Sequence, residues 1–347
     1  MAASPARYRL ALAFLALALL VVALALPRPA GAAATASAGC TKATNIEAIV
    51  DDSGSMAITD PDKLRVQAMD LLIDSLGPST TLGAVEFGSG LEAIPGVYEG
   101  TPPAETLFPP EAVGPSATAM QAALKAHVNA DNGATDYNGA FAKADADNPT
   151  AQARIFLTDG GHDEGEYKEA HLAHNVPTYV IGFGSGLGSA KDKARLKKIA
   201  ADTGGQVYEL DDASELQAVA NAVASALTCQ TPPQSFHDDL SKGDSAAHAV
   251  TIGAATKAVR VVLSWASPQS RFALKGLTLV RGKQVLAAAR PHRPRKLKVT
   301  TKATSKTFAI YEVHGLSRGK LRFQVRAAKV AGGSARVITQ VSQRAHR

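Results

Sequence analysis

The sequence predicts two folds in series, a doubly wound α/β domain with a mostly parallel sheet flanked by helices and then a smaller antiparallel β-sandwich. Three observations carry this expectation. Between residues 44 and 228 short apolar runs alternate with segments of helical periodicity, and repeated strand–helix units imply a parallel sheet covered on both sides. Beyond residue 245 no long helical pattern remains; short runs rich in Val, Thr, Leu and aromatic residues are separated by Gly, Ser, Pro or Lys turns. The charge divides at the same place, because residues 40–231 hold 12 Lys+Arg against 27 Asp+Glu, a net of −15, while residues 232–347 hold 22 against 4, a net of +18. Halves so opposed are expected to be separate domains that attract one another, and 347 residues suffice for both.

In chain order, residues 1–39 read as a signal peptide and small-residue spacer. Arg7 and Arg9 precede an uncharged apolar run at residues 10–26, after which prolines and small residues lead to candidate cleavage sites after Ala32 or Ala38. The expected location is secreted or extracytoplasmic, with an uncleaved N-terminal anchor as the alternative. Cys40 and Cys229 are the only cysteines and bracket the acidic half. In an exported protein such a pair is most simply a disulfide tying the start of a domain to its end, with roughly 5 kcal/mol as the upper estimate from chain entropy.

The α/β domain is expected over residues 40–230. Residues 46–50 read as a buried strand, 61–76 as a helix with Asp60 placed to cap it, 81–87 as a strand, and 117–128 and 137–146 as helices. Residues 153–157 and 177–183 are short apolar runs of the kind that form buried parallel strands; 191–201 returns to helix, 206–210 to strand, and 213–227 to a helix with one apolar face. In a sheet of this type any site lies at the carboxyl ends of the strands.

Three loops place hard oxygen ligands at that edge. AIVDDSGSM ends a strand in Asp51, Ser53 and Ser55 at alternate positions, so a loop turning over the strand end can aim all three at one point. GATDY puts Thr135 just before a helix, and LTDGG puts Asp159 just after a strand. In this combination the chain resembles a von Willebrand factor type A domain with its metal-ion-dependent adhesion site, whose three-part motif matches Asp51, Ser53, Ser55, then Thr135, then Asp159. The segments DPDKLR, LGAVEFGS, VPTYVIGFG and LKKIAADTGGQVYEL extend the likeness through most of residues 44–228. The resemblance implies a divalent cation held by these residues, Mg²⁺ foremost with Mn²⁺ or Ca²⁺ as alternatives, and a protein partner whose Glu or Asp completes the shell. Asp52 departs from the apolar residue often second in that motif and reads as a loop cap, as Asp136 reads as a helix cap.

No catalytic constellation accompanies these residues. Ser53 has no evident base and there is no G-x-S-x-G elbow, so an enzyme is not expected; a metal-dependent hydrolase or an accessory subunit of an extracellular enzyme complex is the alternative. His162, in a loop after Asp159, reads as a solvated surface residue, and GFGSGLGSA at 182–190 as a loop beside the site.

Residues 231–244, with prolines and polar residues, read as a linker, and residues 245–347 as the basic sandwich. Strands are expected at 249–252, 258–265, 277–280, 297–301, 307–313, 320–328 and 335–341. Arg293, Arg295, Lys296 and Lys298 are candidate contacts for an anionic cell-envelope polymer, against the plainer reading of an outward polar strand face. No nucleic-acid motif is present, and the sequence leaves the oligomeric state open.

Overall fold

The computed structural model describes residues 40–345 apart from 89–101, 131–132, 164, 170–171, 174, 185–188, 212 and 290–296. The expected leader, and with it the cleavage sites, lies outside the described residues, as do Arg293, Arg295 and Lys296.

The first domain runs β1 (Asn45–Asp51), a short α1 (Met56–Thr59), α2 (Leu64–Ser75), β2 (Thr81–Phe87), β3 (Ala104–Ala112), α3 (Val113–His127), α4 (Tyr137–Asp147), β4 (Ala153–Thr158), β5 (Thr178–Phe183), α5 (Ala190–Thr203), β6 (Gln206–Leu210) and α6 (Leu216–Leu227). The sheet order is β3-β2-β1-β4-β5-β6, parallel except for β3, which runs antiparallel on β2. Strands covered on both faces must be apolar along their whole length, and β1, β2 and β4 are buried almost throughout. One face carries Ile46, Ala48, Val50, Ile155 and Leu157 against α2, α3 and α6. The other carries Ile49, Val85 and Phe156 against α4 and α5. The disulfide joins Cys40 to Cys229 as expected, and Ala43 N donates to Leu227 O at 3.0 Å beside it.

Four elements of this domain depart from the sequence reading: α1 has no counterpart there, α3 begins at Val113 ahead of the expected 117, and β3 and α2 differ for a clear cause. The edge strand β3 has no counterpart there because Pro109 and Pro110 interrupt its pattern; an edge strand tolerates them, and its register on β2 slips where they fall. The helix expected from residue 61 begins at Leu64, where Lys63 takes a left-handed φ of 52°. Asp60 nonetheless caps it, accepting from Leu64 N at 2.6 Å and Arg65 N at 2.9 Å.

The second domain is a sandwich of two antiparallel sheets. One has the order β11-β10-β14-β8 and the other β12-β13-β9-β15-β7, built from β7 (Gln234–Leu240), β8 (Ser245–Ile252), β9 (Thr256–Ser264), β10 (Arg271–Arg281), β11 (Gln284–Ala288), β12 (Lys298–Thr304), β13 (Phe308–His314), β14 (Gly319–Lys329) and β15 (Ala335–Ala345). The linker reading of residues 231–244 is corrected by β7, which pairs with β15 from Gln234↔Val341 to Leu240↔Ala335. Its polar composition reflects an edge position rather than a free chain, since only one side of the strand is paired.

β14 alternates strictly, with Leu321, Phe323, Val325 and Ala327 buried and Lys320, Arg322 and Arg326 outside. β9 does not alternate, and from Ala258 to Ser264 every residue is buried. Val259, Val261 and Leu263 face the sandwich core, while Val262 joins Leu71, Phe308 and Ile310 in a cluster that links this sheet to α2. Neutral hydrogen bonds complete that junction: Gln217 Nε2 donates to Thr307 Oγ1 at 2.7 Å, and Asn221 Nδ2 to Gln340 Oε1 at 2.8 Å. Apolar packing and neutral side-chain hydrogen bonds join the two domains, and one charged donor adds to them, Arg260 Nη1 bonding Ser75 O at 2.9 Å.

Candidate metal centre

The register of β4 on β1 sets Val50 opposite Leu157, which puts Asp51 and Asp159 at adjacent strand ends. Both are fully buried, and Ser53 and Thr135 are 1% and 3% exposed. Asp51 Oδ1 accepts from Ser53 N at 2.9 Å, which curls the loop back over the strand, and Asp51 Oδ2 accepts from Thr158 Oγ1 at 2.5 Å. Ser53 Oγ meets Ser55 Oγ at 3.1 Å, and Ser55 Oγ donates to Asp159 Oδ1 at 2.7 Å. Thr59, one turn along α1, donates its hydroxyl to Asp159 Oδ2.

The Thr135 loop is drawn to the same place. Gly54 N donates to Gly133 O at 2.7 Å, and Asp163 clasps Thr135 through both backbone atoms, accepting from Thr135 N at 2.6 Å and donating its own N–H to Thr135 O at 3.1 Å. A Cβ added to Gly160 would lie 3.7 Å from Thr135 Oγ1 and 3.9 Å from Ser55 Oγ, so both hydroxyls lie against the bare face of that glycine. The structure thus gathers Asp51, Ser53, Ser55, Thr135 and Asp159 around one point.

Neither Asp51 nor Asp159 forms an ion pair with a Lys, Arg or His among the described residues. Burial raises both carboxyls above the ordinary range, and for Asp51 repulsion from Asp159 adds to it. Two buried carboxylates ringed by hydroxyls and lacking a cationic side chain make a donor set that fits a hard divalent ion. Among the described residues no group of three or more His, Cys, Asp and Glu is placed to hold a metal, so any ion here depends on hydroxyl oxygens as well.

Residues the sequence reading passed over hold this arrangement in place. Arg65 is completely buried and bridges Asp52 Oδ1 at 2.9 Å and Asp60 Oδ2 at 3.0 Å, while Ala130 N donates to Asp52 Oδ1 at 2.7 Å. Asp52 therefore does tie down the loop, as expected, but through a buried ion pair. Asp136 caps α4 by accepting from Asn138 N at 2.9 Å, also as expected. His162 is corrected: its side chain is 1% exposed and its Nδ1 accepts from Tyr137 N at 3.1 Å, which leaves it neutral and structural, with burial holding its pKa low. Gly184 stands beside the centre, since a Cβ there would lie 3.2 Å from Thr59. The i, i+4 spacing of Ser55 and Thr59 was the one sequence signal for Thr59. Lys298 is exposed at the start of β12.

No protein-family model matches the sequence. A UPF0353 protein of Mycolicibacterium paratuberculosis is 29% identical over an alignment of 221 positions that covers 54% of this chain and 62% of that relative. The chain therefore spans less than two thirds of it. Solved structures to which the chain is similar include von Willebrand factor type A proteins. One, from Catenulispora acidiphila, is 19% identical with a TM-score of 0.41, covering 85% of this chain and 64% of that one. Proximal thread matrix protein 1 of the mussel byssus, with a zinc-occupied metal-ion-dependent adhesion site, is 19% identical with a TM-score of 0.41 over 59% of this chain and 51% of that one. The pilus adhesin SpaC of Lactobacillus rhamnosus GG is 14% identical with a TM-score of 0.42 over 88% of this chain and 44% of that one. Among the described residues no helix is long and apolar enough to cross a membrane.

Proposed function

We propose that this chain is an exported, type A-like binding protein that holds a divalent cation, Mg²⁺ foremost, at Asp51, Ser53, Ser55, Thr135 and Asp159 and captures an acidic side chain of a protein partner there. The observation that carries the reading is the convergence of two buried, mutually repelling carboxylates at adjacent strand ends with three hydroxyls from the loops beside them. A bound divalent cation would supply a positive centre able to exchange a loosely held water for a Glu or Asp oxygen. The chain's own residues do the rest. Asp51 and Asp159 offset the cation's charge, and Ser53, Ser55 and Thr135 offer neutral oxygens that leave the centre short of ligands. Thr158, Thr59 and Asp163 fix the orientation of those groups. Binding without turnover is favoured because Ser53 Oγ has a second serine, Ser55, as its neighbour rather than a base. Export is supported by the Cys40–Cys229 disulfide and by the charged and apolar character of residues 7–26.

Calorimetric titration of Mg²⁺ and Mn²⁺ into the chelator-stripped chain tests the reading. One saturable site is expected in the wild type, and its loss in Asp51→Asn and Thr135→Ala. Asp51→Asn removes one of two repelling buried charges, so its metal-free melting temperature should equal or exceed that of the wild type, separating loss of the ion from loss of the fold. Absence of heat with either ion, together with a melting temperature that metal does not move, would overturn the proposal.

A further inference from the structure

We infer that the cavity at the junction of the two domains is an anion site for an oligophosphate or a closely spaced pair of phosphate esters. The inference is independent of the metal centre, which lies at the carboxyl ends of β1 and β4. The cavity has a volume of about 610 Å³ and is walled by the turn after α2, the Cys229 end of the disulfide and the five-stranded sheet of the sandwich. Five cations line it, Lys42, Lys257, Arg260, Lys302 and Arg344, against the single carboxylate of Glu312, five minus one leaving a net of +4.

That carboxylate is already shared, since Glu312 lies 3.6 Å from Arg260 Nη2 and 3.6 Å from His314 Nε2. Lys42, Lys257, Lys302 and Arg344 form no ion pair among the described residues. Arg260 is 8% exposed and donates Nη1 to Ser75 O at 2.9 Å, yet its buried Nε has no partner. Those contacts hold the guanidinium in place, so Arg260 contributes a fixed positive charge to the cavity wall, and the more exposed Lys and Arg side chains around it are the groups that reach an anion.

The strands aim these groups deliberately. The register of β12 on β13 slips between Thr301 and Ala303, which makes Lys302 the extra residue of a bulge, and β-bulges re-aim side chains toward sites. Lys42 Nζ is 3.6 Å from the position a Cβ would take on Gly77, so it reaches over the turn that forms the opposite wall. The cluster also carries a cost: burial lowers the Lys302 pKa and Arg260 lowers it further, and burial together with Arg344 acts against Arg260. Like charges kept this close, with one shared carboxylate and Asp74 nearby as the other acidic influence, are relieved by a multivalent anion. A volume in the range of small-ligand pockets admits two or three linked phosphates rather than one.

Tripolyphosphate, titrated calorimetrically into the full chain in metal-free buffer, is the probe, with phosphatidylcholine vesicles containing or lacking phosphatidylglycerol as a second arm. One saturable tripolyphosphate site is expected, weakened by about tenfold or more, at least ~1.4 kcal/mol, in the Lys257→Glu/Lys302→Glu double variant, whose side chains line the cavity and belong to neither apolar core. A control, Lys320→Glu/Arg322→Glu on the other sheet, is expected to bind as the wild type does, and added salt to weaken all of them. Vesicle binding lost in the first variant and kept in the control would also support the site and would name lipid phosphate as its source. Binding to neither probe, or equal loss in both variants, would overturn it.

Discussion

The two domains handle charge in opposite ways. The α/β domain, acidic in composition, takes carboxylates inside: Glu47, Asp51, Asp52, Asp60, Asp70 and Asp159 are all buried. The sandwich, basic in composition, keeps its cations on outward strand positions, and Arg260 is its one buried cation among the described residues. Burying a charge costs several kcal/mol unless a partner offsets it, so a buried charge marks a place where the fold has been built around that group. An exposed charge on an alternating strand needs no such explanation. The contrast separates informative from uninformative charges in this chain. On the acidic side it picks out Asp51, Asp52 and Asp159 at the strand ends along with Glu47, Asp60 and Asp70 elsewhere, and on the basic side it passes over most of the 22 cations and stops at Arg260.

The sharpest way to break the contrast is to remove the cation that holds the acidic side together. Arg65→Ala leaves Asp52 and Asp60 buried without their shared partner and should cost about 3–5 kcal/mol in urea unfolding. Because Asp52 lies between Asp51 and Ser53, the same variant should also weaken metal binding. Arg65→Lys, which cannot span both carboxylates, should fall between it and the wild type. A loss below about 1 kcal/mol for the alanine variant would mean that the buried pairing is incidental.

A smaller effect is expected at Glu47, which accepts from Asn148 Nδ2 at 3.0 Å and whose pKa burial pushes up to about 8 from 4.5. Between those two values the folded chain holds a proton that the unfolded chain has released, so stability falls as pH rises through this window. Glu47→Gln has no proton to lose. By calorimetry across pH 5 to 9 it should match the wild type at the acid end and exceed it at the alkaline end by on the order of a few kcal/mol. Parallel curves for the two proteins would show that Glu47 does not carry the dependence. The smallest effect belongs to the sandwich face: Arg322→Gln should change stability by no more than about 0.5 kcal/mol, since its side chain lies outside the alternation that buries Leu321 and Phe323. A larger loss would mean that the outward cations also have structural partners.

Much of the candidate centre was legible before any coordinates. Asp51, Ser53 and Ser55 follow one another in a single loop, Thr135 stands just before α4 and Asp159 just after β4, so a parallel sheet brings all three segments to one edge. What held them there was not legible. Thr59, Thr158 and Asp163 reach the site through contacts whose partners are up to 107 residues away in the chain, and no local pattern marks such a pairing. His162 looked like an ordinary polar loop residue because nothing in its neighbours reveals that Tyr137 N will close over it.

By itself the sequence determined the alternation of elements in residues 44–228, the strand alternation of the sandwich, the cysteine pair and the oxygen-rich strand ends. These are properties of neighbouring residues, written in periods of 3.6 and 2. Only the tertiary structure decided which polar segments become edge strands. Gln234–Leu240 looks like a linker until β15 offers it a row of backbone partners, and Ala104–Ala112 looks broken by proline until β2 takes its free side. Only the tertiary structure, too, placed one face of β9 against α2, which buried Arg260 and created the cavity beside it. The physical reason is the same in each case. A side chain's burial and a backbone group's partner are set by whatever element packs across from it, and the residues beside it in the chain do not record which element that will be.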